Sequence, residues 1–277
     1  MQLAMSNIAL PAYEHSSYLP LCAELGFSLL EVAPSRVWLG AGHGVRAAEV
    51  DAYRRTVEAA GLGVCGLHSL FFDRPDLSIF GDSDSVSEAV ALLGRLSALC
   101  RDLGGRTLVF GSPGARRRGS LSKQEADRKA LLFLERTCEA IDGHGTVLSF
   151  EALGPTESDY VNSLAEASLL VDAIGHRAFG LHIDAKAASE SGELDGSALP
   201  KFAERATHVH VNEAGLGPLH EVAQAGSVAH DRLGSALRQA NYRNAVSLEM
   251  RMISKDHDTI LSNIAQSRAV MKERYGA

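Results

Sequence analysis

The sequence predicts an α/β fold, a single (β/α)8 barrel running from residue 1 to residue 277. Three observations predict it. Short segments rich in β-branched and aliphatic residues alternate with helix-period segments from end to end, which implies parallel strands joined by right-handed crossovers. Helical patterns stop at glycine just before the next apolar run, as in Leu25-Gly26-Phe27, Ala60-Gly61-Leu62 and Leu103-Gly104-Gly105. Eight such repeats fill 277 residues without a break in composition, close to the ~250 residues a closed barrel of this kind needs. An open doubly wound sheet would normally carry a glycine fingerprint after its first strand, whereas Ser6-Asn7-Ile8-Ala9-Leu10-Pro11 stands there.

Taken in order, Gln2–Ser6 is the first strand and 17–25 a short apolar helix. Leu29–Val32 is the second strand, followed by a helix over 46–60 that repeats Val50, Tyr53, Val57 and Ala60 at helical spacing. The third strand, 64–69, leads to a helix over 85–103 with Val86, Val90, Leu93, Leu96 and Leu103 on one face. Thr107–Phe110 then precedes a helix over 122–141 carrying Ala126, Leu131, Leu134, Cys138 and Ile141. Strands at 146–151, Phe179–Asp184, 208–212 and 245–250 complete the sheet. Helices at Leu164–Ile174, 228–240 and 259–271, with a weaker one at 197–204, complete the outer layer.

A net charge of −7 opposes a phosphate backbone, so no nucleic-acid partner is expected. No apolar run reaches the ~18 residues of a membrane span, and the N-terminus shows no basic region followed by an apolar stretch, so a cytoplasmic protein without a membrane partner is expected. Cys22, Cys65, Cys100 and Cys138 show no paired spacing and read as thiols in a reducing compartment. Arg116-Arg117-Arg118 reads as a solvated basic loop. Whether the chain forms a homo-oligomer is left open.

Four strand candidates end in residues that bind hard metals: Glu151, Asp184, His210 and Glu249. Each is one strand–helix unit from the next, and the carboxyl ends of barrel strands are where chemistry sits. Three carboxylates buried at a barrel mouth would cost several kcal/mol each without a counter-ion. Oxygen-rich ligation with one imidazole suits one divalent ion, Mn²⁺ or Mg²⁺ first and Co²⁺ or Zn²⁺ next. Glu31 and His68 close the second and third strands and are candidate substrate contacts. Arg251, two residues past Glu249, can point inward toward a hydroxyl, carboxylate or phosphate. His220 follows the seventh strand on its loop and is a further candidate contact. His182 and His208 share a face with Asp184 and His210 and are expected deeper, orienting other groups. Trp38 could cover the mouth or plug a gap in the packing.

Several segments, in this order and spacing, resemble the xylose isomerase-like TIM barrels, in the sugar isomerase and epimerase branch that includes the tagatose and psicose 3-epimerases. They are Leu29-Leu30-Glu31-Val32-Ala33-Pro34, Leu108-Val109-Phe110-Gly111-Ser112-Pro113, Leu148-Ser149-Phe150-Glu151, Leu181-His182-Ile183-Asp184, His208-Val209-His210-Val211-Asn212-Glu213 and Val246-Ser247-Leu248-Glu249-Met250. The resemblance implies that Glu151 and Glu249 bind the metal and move protons, with Asp184 and His210 completing the coordination. It also implies a histidine three residues past Asp184, where this chain has Ala187, with Lys186 beside it as a substitute donor to substrate. The expected activity is sugar or sugar-phosphate isomerisation or epimerisation through an enediolate, with Glu151 and Glu249 as the acid/base pair. A dehydratase or lyase of a keto-sugar or keto-inositol, and a non-catalytic sugar-binding barrel, are the alternatives.

Overall fold

The computed structural model describes residues 1–219 and 224–276. Eight parallel strands close on themselves in chain order: β1 (Gln2–Ser6), β2 (Leu29–Val32), β3 (Gly63–Leu67), β4 (Thr107–Phe110), β5 (Val147–Glu151), β6 (Phe179–Asp184), β7 (Ala206–Val211) and β8 (Ala245–Leu248), with β8 paired to β1. This is a (β/α)8 TIM barrel. Around it lie α1 (Leu19–Glu24), α2 (Ala47–Ala59), α3 (Ser83–Asp102), α4 (Lys123–Ile141), α5 (Leu164–Ile174), α6 (Ala185–Glu190), α7 (Leu199–Arg205), α8 (Gln224–Gln239) and α9 (His257–Tyr275). Every strand lies within two residues of its expected limits. The added element is α6, whose six residues are too few to show a helical period in the sequence.

Helix starts are set by side-chain caps. Asp82, Ser122, Ser163 and Asp256 each accept a hydrogen bond from a backbone N–H in the first turn of α3, α4, α5 and α9; such a cap contributes ~1 kcal/mol. The core between barrel and helices is apolar. Phe110, Phe133, Phe150 and Phe179 form a run of ring contacts 5.8–5.9 Å between centroids, joining β4, β5 and β6 to α4. All four cysteines are free thiols. Among the described residues no helix is long and apolar enough to cross a membrane.

The basic run departs from the expectation of a solvated loop. Arg117 is exposed, but Arg116 is fully buried. Its guanidinium donates to the carbonyls of Gly111 at 3.1 Å, Glu151 at 2.6 Å and Tyr160 at 2.9 Å, and sits 4.2 Å from the Phe150 ring centre. Strand-end carbonyls and an aromatic face replace water around the charge, which is what a planar fork of donors permits. Burial still pushes its pKa down to about 10.

Candidate active site

A cavity of about 370 Å³ opens at the carboxyl ends of the strands. Glu151, Asp184, His210 and Glu249 all line it. They come from the ends of β5, β6 and β7 and the residue after β8, and Asp184 and His210 are lateral partners in the sheet. Asp184 also caps α6, its Oδ1 accepting from the Ala187 N–H at 2.7 Å. Asn212 ties the ring together. Its Nδ2 donates to Asp184 Oδ2 at 2.6 Å and to Glu249 Oε2 at 2.8 Å, while its Oδ1 accepts from the Lys186 N–H at 3.0 Å. Glu249 Oε2 lies 3.5 Å from His210 Nδ1, and its Oε1 lies 3.5 Å from His68 Nδ1.

The donor set fits a divalent cation. Ligand atoms of Glu151, His182, Asp184 and His210 all lie within 4.8 Å of one another. His210 Nδ1 and both ring nitrogens of His182 are buried without a hydrogen-bond partner, and an unsatisfied buried polar atom normally costs ~1–3 kcal/mol. Burial, reinforced by the charges of Asp184 and Glu249, holds the Glu151 carboxyl well above the usual carboxylate range. Burial and the Glu249 charge push Asp184 up to about 6. Burial also opposes the charge on Glu249, but His210 and His68 more than offset it and hold that carboxyl well below its usual range. His210 is likewise desolvated, yet Glu31 and Glu249 raise its pKa well above the ordinary imidazole value. A cation placed among these groups would relieve the carboxylate repulsion and satisfy the orphaned nitrogens.

The remaining expected residues divide. His68 lines the cavity, and its Nε2 is 2.6 Å from the Ser6 hydroxyl. Lys186 lines it too, with Nζ donating to Glu157 at 2.9 Å. Burial opposes the lysine charge, but Glu157 outweighs it and raises the Lys186 pKa. Glu31 is corrected: it is 0% exposed and lies beneath the ring, against His210, His208 and Ser247 rather than substrate. Arg251 is also corrected. It is exposed and donates to the Gly215 carbonyl at 2.8 Å, away from the cavity, because β8 ends at Leu248 and strand alternation does not reach residue 251. His220 lies outside the described residues. Trp38 packs edge-on against Tyr53, 5.3 Å between ring centres, as a plug in the packing. His208 sits beside Glu31, as a deeper orienting group would, whereas His182 reaches the ligand cluster itself. Sequence reasoning missed Asn212 and Glu157 as cavity groups. The signal for Asn212 was its place two residues beyond His210, on the same side of the chain.

The parallel barrel with a carboxylate–imidazole ring at its strand ends defines the class: an α/β barrel with a polar centre at the carboxyl ends of its strands. More narrowly, the chain belongs to the xylose isomerase-like TIM barrel family, whose model matches residues 19–274. An L-ribulose 3-epimerase of Mesorhizobium japonicum is 26% identical over 199 residues, which are 69% of this chain and 64% of that protein. The chain therefore spans less than two thirds of that relative's length. The structure of a D-psicose 3-epimerase with D-tagatose from Clostridium cellulolyticum is similar at a TM-score of 0.84 and 13% identity, over the whole of both chains. The structure of the IOLI protein with a binding zinc atom is similar at a TM-score of 0.73 and 15% identity, again over both whole chains. At these identities the structural likeness is one of fold.

Proposed function

We propose that the protein is a divalent-metal-dependent sugar isomerase or epimerase, acting on a ketose or ketose phosphate by moving a proton next to the carbonyl. One observation carries this reading: two glutamates, Glu151 and Glu249, line one cavity and stand on either side of Asp184 and His210 in strand order. Membership of the family, the L-ribulose 3-epimerase relative and the D-psicose 3-epimerase of the same fold support it.

Glu151, Asp184, His210 and Glu249 would hold the ion, Mn²⁺ or Mg²⁺ or else Co²⁺ or Zn²⁺. When bound, it supplies Lewis-acid polarisation of the substrate carbonyl, which acidifies the neighbouring C–H. One glutamate removes that proton. The other returns a proton to the opposite face for epimerisation, or to the neighbouring carbon for isomerisation. Asn212 holds the Glu249 and Asp184 carboxylates at a fixed separation through its two hydrogen bonds. His68 and the Lys186–Glu157 pair offer polar contacts to substrate hydroxyls. Phe71, Phe72 and Leu153 line the same cavity and limit water around the reacting carbon.

The test is solvent deuterium incorporation. The protein is incubated with each of the four metals and a panel of ketoses, ketose phosphates and keto-inositols in D₂O, then followed by NMR. Deuterium next to the carbonyl together with a new epimer or isomer is the expected result. Absence of exchange in every substrate, with metal bound, refutes the proposal. Loss of a hydroxyl as water would replace it with a dehydratase.

A further inference from the structure

We propose that Glu31 is a positioning residue for the ion site, fixing the Nε2–H tautomer of His210 so that Nδ1 is the atom offered to a divalent ion. The inference rests on the metal-dependent reading above and concerns how this chain builds the site.

Glu31, next to last in β2, is level with Ser6 on β1 and Gly66 on β3, and no solvent reaches it. Its carboxylate is hydrogen-bonded by two groups, His210 and Ser247. His210 Nε2 lies 2.9 Å from Oε2 and 3.1 Å from Oε1. The Ser247 hydroxyl donates to Oε2 at 2.6 Å, while His208 Nε2, 3.1 Å from Oε1, makes no hydrogen bond. An ionised carboxylate only accepts hydrogen bonds, so the His210 nitrogen bonded to it must carry hydrogen. A neutral imidazole has one N–H and one lone pair. With hydrogen at Nε2, the lone pair of His210 falls on Nδ1. That atom is buried, has no hydrogen-bond partner, and lies on the Glu249 side of the ring, 3.5 Å from Glu249 Oε2. Ring orientation and protonation pattern are thus set together from below, in the manner of carboxylate–histidine–metal arrangements.

A glutamine would not replace this group. Its amide has one oxygen for the Ser247 hydroxyl and the His210 N–H that two carboxylate oxygens now share, and an NH₂ turned toward His210 would face another donor. An NH₂ facing His210 Nε2 favours hydrogen at Nδ1 instead. For His210 that removes the lone pair presented to the ion.

The experiment titrates Co²⁺ into the metal-stripped full chain by calorimetry, for the parent, Glu31→Gln, Ser247→Ala and the exposed-site control Arg251→Ala, with circular dichroism to verify folding. Parental affinity is expected in the control and a loss of about 10–100-fold in Glu31→Gln. Ser247→Ala removes one donor but keeps the carboxylate, and a loss of about three- to tenfold is expected there. A merely structural role would lower the melting temperature of apo and Co²⁺-loaded protein alike and leave affinity unmoved. A folded Glu31→Gln with parental affinity overturns the inference while leaving the metal-dependent reading intact; if that variant does not fold, parental affinity in Ser247→Ala overturns it. A Co²⁺-loaded crystal in which Nε2 of His210 is the ligating atom overturns it too. A parent chain that binds no Co²⁺, Mn²⁺, Mg²⁺ or Zn²⁺ overturns both readings.

Discussion

Gly111, the residue after β4, offers a sharp test of the catalytic geometry. A Cβ built there would collide with Glu151 Oε2 and come within 3.2 Å of Glu151 Cδ and 3.6 Å of a Leu153 methyl. The site therefore uses the missing side chain at 111 as the space for a carboxylate. Alanine would force the Glu151 oxygen to retreat by roughly 1 Å or more before reaching comfortable van der Waals separation, optimal at ~3.5–4.0 Å between carbons. The Gly111 backbone is outside the left-handed region, so alanine meets no torsional penalty. The atom that must yield is the far end of a flexible side chain, so the fold should tolerate the change. Gly→Ala can even stabilise by ~0.4–1 kcal/mol through the unfolded chain.

Function should not tolerate it. Misplacing a reacting group by 1 Å can cost ~10²-fold in rate, or about 2.7 kcal/mol of transition-state stabilisation. Gly111→Ala should therefore melt within a few degrees of the parent, yet lose turnover of its best ketose by about two orders of magnitude. The assay pairs a thermal melt with epimer formation followed by NMR at saturating Mn²⁺. Gly111→Ser, with a larger group, should lose at least as much. A folded Gly111→Ala that turns over at the parental rate would refute the claim that the Glu151 carboxylate acts from the position seen here.

Glu249→Gln and Glu151→Gln should each retain measurable metal but lose turnover by at least ~10²–10⁴-fold; if both turn over at the parental rate with metal bound, the two-glutamate mechanism is wrong. Divalent-ion affinity should weaken as pH falls through about 6, because Asp184, Glu151 and His210 all hold protons more tightly than usual and must lose them to ligate; an affinity flat from pH 5 to 8 by calorimetry would count against these ligands. Chelator should lower the melting temperature of metal-loaded protein, and an unchanged melt would argue against a native-state site. His15, bonded to Tyr53, and His230, bonded to Tyr275, are each held down to about 4, chiefly by burial. Their contribution to stability is complete above the unfolded value of 6.5 and is lost as pH falls toward 4, up to about 3 kcal/mol each at 1.36 kcal/mol per pH unit. Urea unfolding at pH 7 and pH 4.5 checks this, and a His230→Gln variant with the same pH dependence as the parent would remove that residue from the account.

The barrel was legible because its signals are local and repeated: apolar runs of strand length, helical periods between them, and glycine stops. The ring of Glu151, Asp184, His210 and Glu249 was legible for the same reason, since each closes a strand and strand ends share one face of the barrel. Depth was not legible. Glu151 ends β5 and Glu31 is the next-to-last residue of β2, but tilt and stagger also place strands at different heights, and Glu31 falls beneath the ring that Glu151 joins. Residues beyond a strand end were not legible either. Period-two alternation holds for Asn212, whose chain still follows β7, and fails for Arg251, whose N–H already bonds to the Leu216 carbonyl in a loop. Arg116 carried no signal that set it apart from Arg117 and Arg118. Only the short turn over Pro113–Arg116 directs its side chain under the β4 and β5 ends.

These placements give the mouth of the barrel two unequal walls, with His68 and Arg74 among the apolar groups after β3 and with Leu153 and Leu216 among the polar groups after β5 and β7. The β5–β8 half supplies charge: three carboxylates and an imidazole, braced by Asn212 above and Glu31 below. The segments after β3 and β4 supply Phe71, Phe72, Pro75, Leu77 and Pro113 to the same cavity. Charge at close quarters needs fixed positions, and strand ends tied into a closed sheet give them. Shape complementarity to the rest of a substrate needs only apolar surface at the right distance, which loops can supply in many sequences. Under the proposed function, the half of the site that would fix the reaction repeats with the barrel and can be read from strand-end residues. The half that would select a substrate under that function lies on loops whose course follows no period, and Phe72, 76% exposed at the rim, is placed there by the path of its loop and not by any strand.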